Sequence, residues 1–135
     1  MEKQKKVLDA SVIIKAFIKE DNSEIAAKLI KSHVEDEIKI IIPELAFLEV
    51  INSFRFKNKD ESALKKIEKD LIEFQFEIVD LNEDLLNKTI EISIANNLTI
   101  YDSVYIAIAQ FHGCPLITAD SALFKIPNVI SLEKI

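Results

Sequence analysis

Four apolar stretches of the chain are each broken by a single carboxylate: Val7-Leu8-Asp9-Ala10-Ser11-Val12, Leu45-Ala46-Phe47-Leu48-Glu49-Val50-Ile51, Ile100-Tyr101-Asp102-Ser103-Val104-Tyr105 and Leu116-Ile117-Thr118-Ala119-Asp120-Ser121-Ala122-Leu123. No Lys or Arg stands within these runs. A carboxylate removed from water is costly unless something pairs with it. Four such carboxylates together suggest a shared partner that the sequence does not encode. The simplest such partner is a divalent cation.

The rest of the composition allows an ordinary core around such a site. At 135 residues and 15.4 kDa the chain has the length of one domain, 1–135, and area scaling buries roughly two-thirds of its unfolded surface. A hydrophobic share of 49% with one Gly and three Pro excludes disorder and low complexity and favours a helix-rich globular fold. No internal repeat is visible. The one cysteine, Cys114, has no partner for an internal disulfide. Preceding Pro115-Leu116-Ile117, it reads as the start of a buried strand rather than a nucleophile. Lys3, Lys5 and Lys6 stand ahead of an apolar stretch as in a signal peptide, but Asp9 breaks that stretch and no small-residue cleavage site follows. No apolar run approaches the roughly 18 residues that span a bilayer. The expectation is a cytoplasmic protein without a membrane partner.

Local patterns order the elements. Residues 4–9 form a short apolar run ending in Asp, and Ser11 opens a helix to Lys19. Asp21-Asn22-Ser23 starts a second helix with an apolar stripe at Ile25, Ala26, Leu29 and Ile30, reaching Val34. The continuous run Ile38 to Ile42 fits a buried parallel strand, and Pro43 suits the first turn of a helix reaching Lys57. A charged helix over 60–74 follows, then a strand over Phe76 to Leu81. Asn82 caps a helix that ends at Asn96-Asn97, and Thr99 caps another that reaches His112, with Gly113 as its stop. Leu116 to Thr118 and Val129 to Ser131 complete the strands. This alternation predicts an α/β fold with a parallel sheet covered on both faces.

In an open parallel sheet, ligands bind beyond the carboxyl ends of the strands, where the winding reverses. Asp9 ends the first strand and Asp120 follows the fourth by two residues, so both belong at that edge. Glu49 lies two turns into the helix after the second strand and shares a face with Asn52 and Ser53. Asp102 lies in the first turn of the helix before the fourth strand. Each acid also has a plainer role open to it. Asp9, Ser11, Asp120 and Ser121 can cap helices, Thr99 to Asp102 matches a capping box, and Glu49 can pair with a distant Lys or Arg. With the four acids about 5 Å apart, each of the six ionised pairs repels by about 3 kcal/mol at an effective dielectric near 20. Oxygen ligands without His or Cys favour Mg²⁺ or Mn²⁺ over zinc. His33 is expected at the surface, and His112 as a favourable cation near a helix C-terminus. Carboxylate-held Mg²⁺ suits phosphodiester hydrolysis through a metal-activated water.

The net charge of -6 opposes nucleic-acid binding, but it is uneven. Residues 1–19 hold five Lys against Glu2 and Asp9, and residues 52–70 hold one Arg and five Lys against four acids. Two basic zones therefore remain available to phosphates, although ordinary solvated helix faces explain each zone alone.

At these residues the chain resembles the PIN-domain ribonucleases, and among them the VapC-type toxins of toxin–antitoxin pairs. The resemblance runs through Val7-Leu8-Asp9-Ala10-Ser11, Pro43-Glu44-Leu45 to Glu49-Val50-Ile51-Asn52, Leu98 to Ala109, and Leu116 to Phe124. It implies a five-stranded parallel sheet of order 3-2-1-4-5 and a catalytic metal site of Asp9, Glu49, Asp102 and Asp120. It also implies support from the Ser11 and Thr118 hydroxyls, cleavage of RNA with Mg²⁺ or Mn²⁺, a homodimer, and a small antitoxin as partner. Asn52 joins the supporting set through its place beside Glu49. Three other readings compete. A PIN module that binds or processes RNA without cutting it as a toxin would share this fold. A phospho-acceptor receiver domain would need a carboxylate pair after the first strand. An Asp-x-Asp phosphatase would need an acid where Ser11 stands.

Overall fold

The structure, a computed structural model, describes residues 2–57 and 60–135. The β-branched run after Asp36 becomes β2 (Ile38–Pro43), which pairs in parallel with β1 (Gln4–Leu8) on one side and β3 (Glu77–Val79) on the other. β1 also pairs with β4 (Leu116–Thr118), and β4 with β5 (Val129–Ser131). The sheet is wholly parallel with order β3-β2-β1-β4-β5, as the sequence pattern and the resemblance imply. Consecutive strand residues point to opposite faces. Val7 and Leu8, Ile40 to Ile42, and Leu116 and Ile117 are all 0% exposed, so both faces are covered. Each such Leu or Ile adds about 1.5–3 kcal/mol of burial.

Six helices provide the cover: α1 (Ala10–Lys15), α2 (Ser23–Val34), α3 (Leu45–Arg55), α4 (Glu61–Glu73), α5 (Glu83–Asn96) and α6 (Ile100–His112). α6 packs on β1, β2 and β4 with α5 against it, while α1 and α2 pack on β1 and β2 and α3 joins α1 to α4. Side-chain caps set several helix starts: Asp60 accepts from the Ala63 N–H at 2.8 Å, Asn82 from the Leu85 N–H at 2.9 Å, and Thr99 from the Asp102 N–H at 3.0 Å. Gly113 ends α6 at φ 59°, a left-handed conformation that glycine takes without strain. No helix among the described residues is long and apolar enough to cross a membrane.

The element ends differ from the sequence expectation where tertiary pairing overrides a local signal. Pro43 closes β2 opposite Val79 instead of opening α3. At the last rung of a strand its missing N–H interrupts no further ladder. β3 is three residues long rather than six, because it lies at the sheet edge and its partner β2 stops at Pro43. Asp9, not Ser11, is the N-cap of α1, and this helix ends at Lys15 because Ala16 and Phe17 turn tightly onto the carbonyls of Ile13 and Ile14. α3 likewise ends at Arg55, short of Lys57. His33 is half-buried rather than a free surface residue. Its Nδ1 accepts from the Ile40 N–H at 3.0 Å, and its Nε2 lies 3.1 Å from the Gln75 carbonyl. The ring thus bridges the strand edge where β3 has not yet begun. Cys114 is buried and free, as expected.

Candidate active site

The winding of the sheet reverses between β1 and β4, and the chain leaves both strands at that point. The Asp9 N–H still bonds the Ile117 carbonyl at 3.3 Å, so the sheet fixes the backbone at this acid. Its carboxylate is 5% exposed and surrounded by donors. Ser11 Oγ donates to Oδ1, Thr118 Oγ1 donates to Oδ2, and the Val12 N–H reaches Oδ1 at 3.4 Å. The two hydroxyls are themselves set by backbone donors, Ser11 Oγ by the Ala119 N–H and Thr118 Oγ1 by the Asp120 N–H, each at 3.0 Å. Burial pushes the Asp9 carboxyl up to about 6, although these three donors oppose the rise, and the charge of Asp102 adds to it.

Asp102 enters from the first turn of α6. Its N–H is capped by Thr99, yet among the described residues no Thr99 N–H bond returns to its carboxylate, so the capping box is half made and the side chain keeps acceptor capacity. Burial and the charge of Asp120 raise its pKa, partly offset by the Thr99 hydroxyl. Glu49 enters from α3, half-buried, with Oε1 accepting from the Tyr105 hydroxyl at 2.7 Å. Burial raises its pKa, the Tyr105 bond opposes this, and Asp102 raises it further. Asp120 follows β4 and caps the short turn Ser121–Leu123 by accepting from the Ala122 N–H at 3.0 Å. Asp102 is thus the common neighbour, its charge felt at Asp9 and at Glu49 and raised in turn by Asp120.

The capping roles open to Asp9 and Asp120 are real, and they coexist with this electrostatic coupling. Among the described residues, none of the four acids forms a salt bridge. Asn52 is exposed and takes no part in the hydrogen bonds of the site, and Ser53 turns back to the Val50 carbonyl at 3.0 Å. Tyr105 was not singled out from the sequence as a site residue. Its signal is a polar atom within the otherwise apolar run Val104 to Ala109, one turn after Asp102.

The donor chemistry fits a hard divalent cation: carboxylate and hydroxyl oxygens with, among the described residues, no sulfur or imidazole in the hydrogen bonds of the site and no salt bridge to any of the four acids. As it stands, no group of three His, Cys, Asp or Glu side chains among the described residues is arranged to hold a metal ion. Asp9 accepts from the Ser11 and Thr118 hydroxyls and the Val12 N–H, Glu49 from the Tyr105 hydroxyl and Asp120 from the Ala122 N–H. Asp9, Asp102, Glu49 and Asp120 would be the residues to hold a divalent cation.

The family model described as PIN domain matches residues 6–129. The chain belongs to the PIN-domain family. Solved structures with the PIN-domain architecture cover nearly all of it. A toxin–antitoxin complex from Klebsiella pneumoniae gives a TM-score of 0.74 at 18% identity, covering 94% of this chain and 97% of that one. PAE2754 from Pyrobaculum aerophilum gives 0.72 at 22% identity, covering 97% and 91%. VapC20 of Mycobacterium tuberculosis, described as a Sarcin-Ricin loop cleaving toxin, gives 0.71 at 12% identity, covering 92% and 96%. At these identities the likeness establishes the PIN fold. No curated protein sequence matches the chain.

Proposed function

We propose that this PIN domain is a Mg²⁺- or Mn²⁺-dependent endoribonuclease and the toxin of a toxin–antitoxin pair acting in the cytoplasm. The observation that carries the proposal is the buried Asp9 carboxylate, gripped by Ser11 and Thr118 and facing Asp102, with no protein cation among the described residues to neutralise it. A hard cation, for which Asp9, Glu49, Asp102 and Asp120 would be the ligands, would supply positive charge near the scissile phosphate and lower the pKa of a bound water. The chain's own part is to hold that charge in place. Ser11 and Thr118 keep both Asp9 oxygens oriented, and Asp9 and Asp120 follow the carboxyl ends of the neighbouring strands β1 and β4. Arg55 and Lys57, both exposed where α3 ends beyond Glu49, give the RNA backbone a positive surface. Titration of purified protein against single-stranded RNA tests this. Cleavage is expected with Mg²⁺ or Mn²⁺ and none with EDTA, and cleavage that persists in EDTA or never appears with either ion overturns the proposal.

The partners in this reading are RNA, a small antitoxin and a second copy of the chain. The toxin–antitoxin complexes among the structural neighbours support the antitoxin. The homodimer is supported by an apolar stripe on α5, where Leu86, Ile90 and Ile94 recur every four residues at 43%, 52% and 80% exposure. Ile100 and Tyr101 at the start of α6 are exposed as well. Ile90→Glu with Ile94→Glu is expected to convert a dimer into a monomer in light scattering without loss of helical signal. A doubly substituted protein with the mass of a dimer removes this face from consideration.

A further inference from the structure

We propose that Tyr105 is a positioning residue of the acid site, its buried hydroxyl tying the Glu49 carboxylate of α3 to α6, the helix that carries Asp102. The inference rests on the reading that the acids hold a divalent cation. Tyr105 is 1% exposed in the middle of α6, among Val104, Ile106, Ala107 and Ile108. A phenol in such a place is unfavourable unless its oxygen is bonded. Here the O–H donates to Glu49 Oε1 at 2.7 Å, and Asp102 precedes Tyr105 by one turn of α6.

One side chain therefore joins the two helices that carry Glu49 and Asp102. The bond engages one oxygen of Glu49, and among the described residues Oε2 takes no hydrogen bond. The tether fixes the direction of the carboxylate while leaving it an oxygen to offer a cation. Phe in this place would fill the same core volume and supply none of this. Groups that orient a metal ligand through hydrogen bonds typically change affinity by about 10- to 100-fold when removed.

The test is a double-substitution cycle on Mn²⁺ affinity, read from the electron paramagnetic resonance of free Mn²⁺ with no RNA present. Four proteins are compared: the parent, Tyr105→Phe, Glu49→Gln and the double variant. Tyr105→Phe is expected to weaken binding about tenfold or more in the parent. In the Glu49→Gln background it should weaken binding by less than about twofold, because a residue that acts through Glu49 has nothing left to orient. Equal binding by the parent and Tyr105→Phe, or losses that add in the double variant, overturn the positioning role while leaving the metal reading intact. A parent that takes up no Mn²⁺ overturns both.

A second measurement avoids any folding defect of Tyr105→Phe. The chain has only two tyrosines, so 3-fluorotyrosine labelling gives two fluorine resonances, assigned with Tyr101→Phe. The Tyr105 resonance is expected to move saturably with Mg²⁺ and to stay still in Glu49→Gln. A Tyr105 resonance indifferent to Mg²⁺ in a protein that binds the ion refutes the tether.

Discussion

Asp9→Asn is expected to cut RNA at least about 100-fold more slowly than the parent at saturating Mg²⁺, while folding to the same structure. Asn keeps the shape of the side chain. Its amide oxygen accepts from one of the two hydroxyls that now grip Asp9, and its amide nitrogen donates to the other once that hydroxyl rotates. What it removes is one negative charge from a site where charge is the whole means of holding a cation. Metal-supplied charge stabilisation is worth several kcal/mol in such reactions, and about 3 kcal/mol already corresponds to roughly 100-fold in rate. Single-turnover cleavage of an unstructured RNA, with circular dichroism to confirm the fold, measures both halves of the expectation. Parent-like cleavage by Asp9→Asn would show that this acid is structural and that its capping of α1 is its only role.

The path from sequence to this site was direct where the determining signals were local. The run Ile38 to Ile42 announced a buried parallel strand because burial on both faces leaves no room for polar alternation. Asp9, Asp102 and Asp120 stand out because a lone carboxylate beside uninterrupted apolar residues is an energetic anomaly, and the strand order puts Asp9 and Asp120 just past the ends of the neighbouring strands β1 and β4. Pairing decided what local patterns could not. Whether Pro43 ends a strand or opens a helix depends on Val79 lying opposite, and the length of β3 depends on where β2 stops. The same holds for His33, whose ring replaces a missing strand partner, and for Tyr105, whose meaning appears only when α3 and α6 bring Glu49 within 2.7 Å. Asn52 is the converse case. Helical periodicity put it on the face of Glu49, but a helix face is broad, and this residue stays in solvent.

The metal-free protein is expected to lose stability as the pH rises from about 4 to about 7, and to regain it with Mn²⁺ only at the upper end of that range. The Asp9 carboxyl rises from its ordinary value of 3.8 to about 6 in the folded chain, because burial outweighs the hydroxyl and amide donors around it. Between these values the folded chain keeps a proton that the unfolded chain releases. Its stabilising effect is complete below pH 4 and is lost as the pH rises through 6. A gap of about 2 pH units is worth about 3 kcal/mol, or roughly 10 °C in melting temperature for a chain of this size. Glu49 and Asp102 are raised as well and act in the same direction, whereas Asp36 beside Lys3 is lowered and acts in the opposite one. The difference between the parent and Asp9→Asn isolates the Asp9 contribution: the Asn variant should melt higher at pH 7 and match the parent near pH 4. A cation that binds only the ionised acids adds about 2.7 kcal/mol at 100 times its dissociation constant. Mn²⁺ should therefore raise the melting temperature of the parent at pH 7.5, have no effect at pH 4.5, and lose most of its effect on Asp9→Asn. Parallel pH profiles for the two proteins, with equal Mn²⁺ shifts, would mean that the buried carboxylate is ionised at no cost and is not where the ion binds.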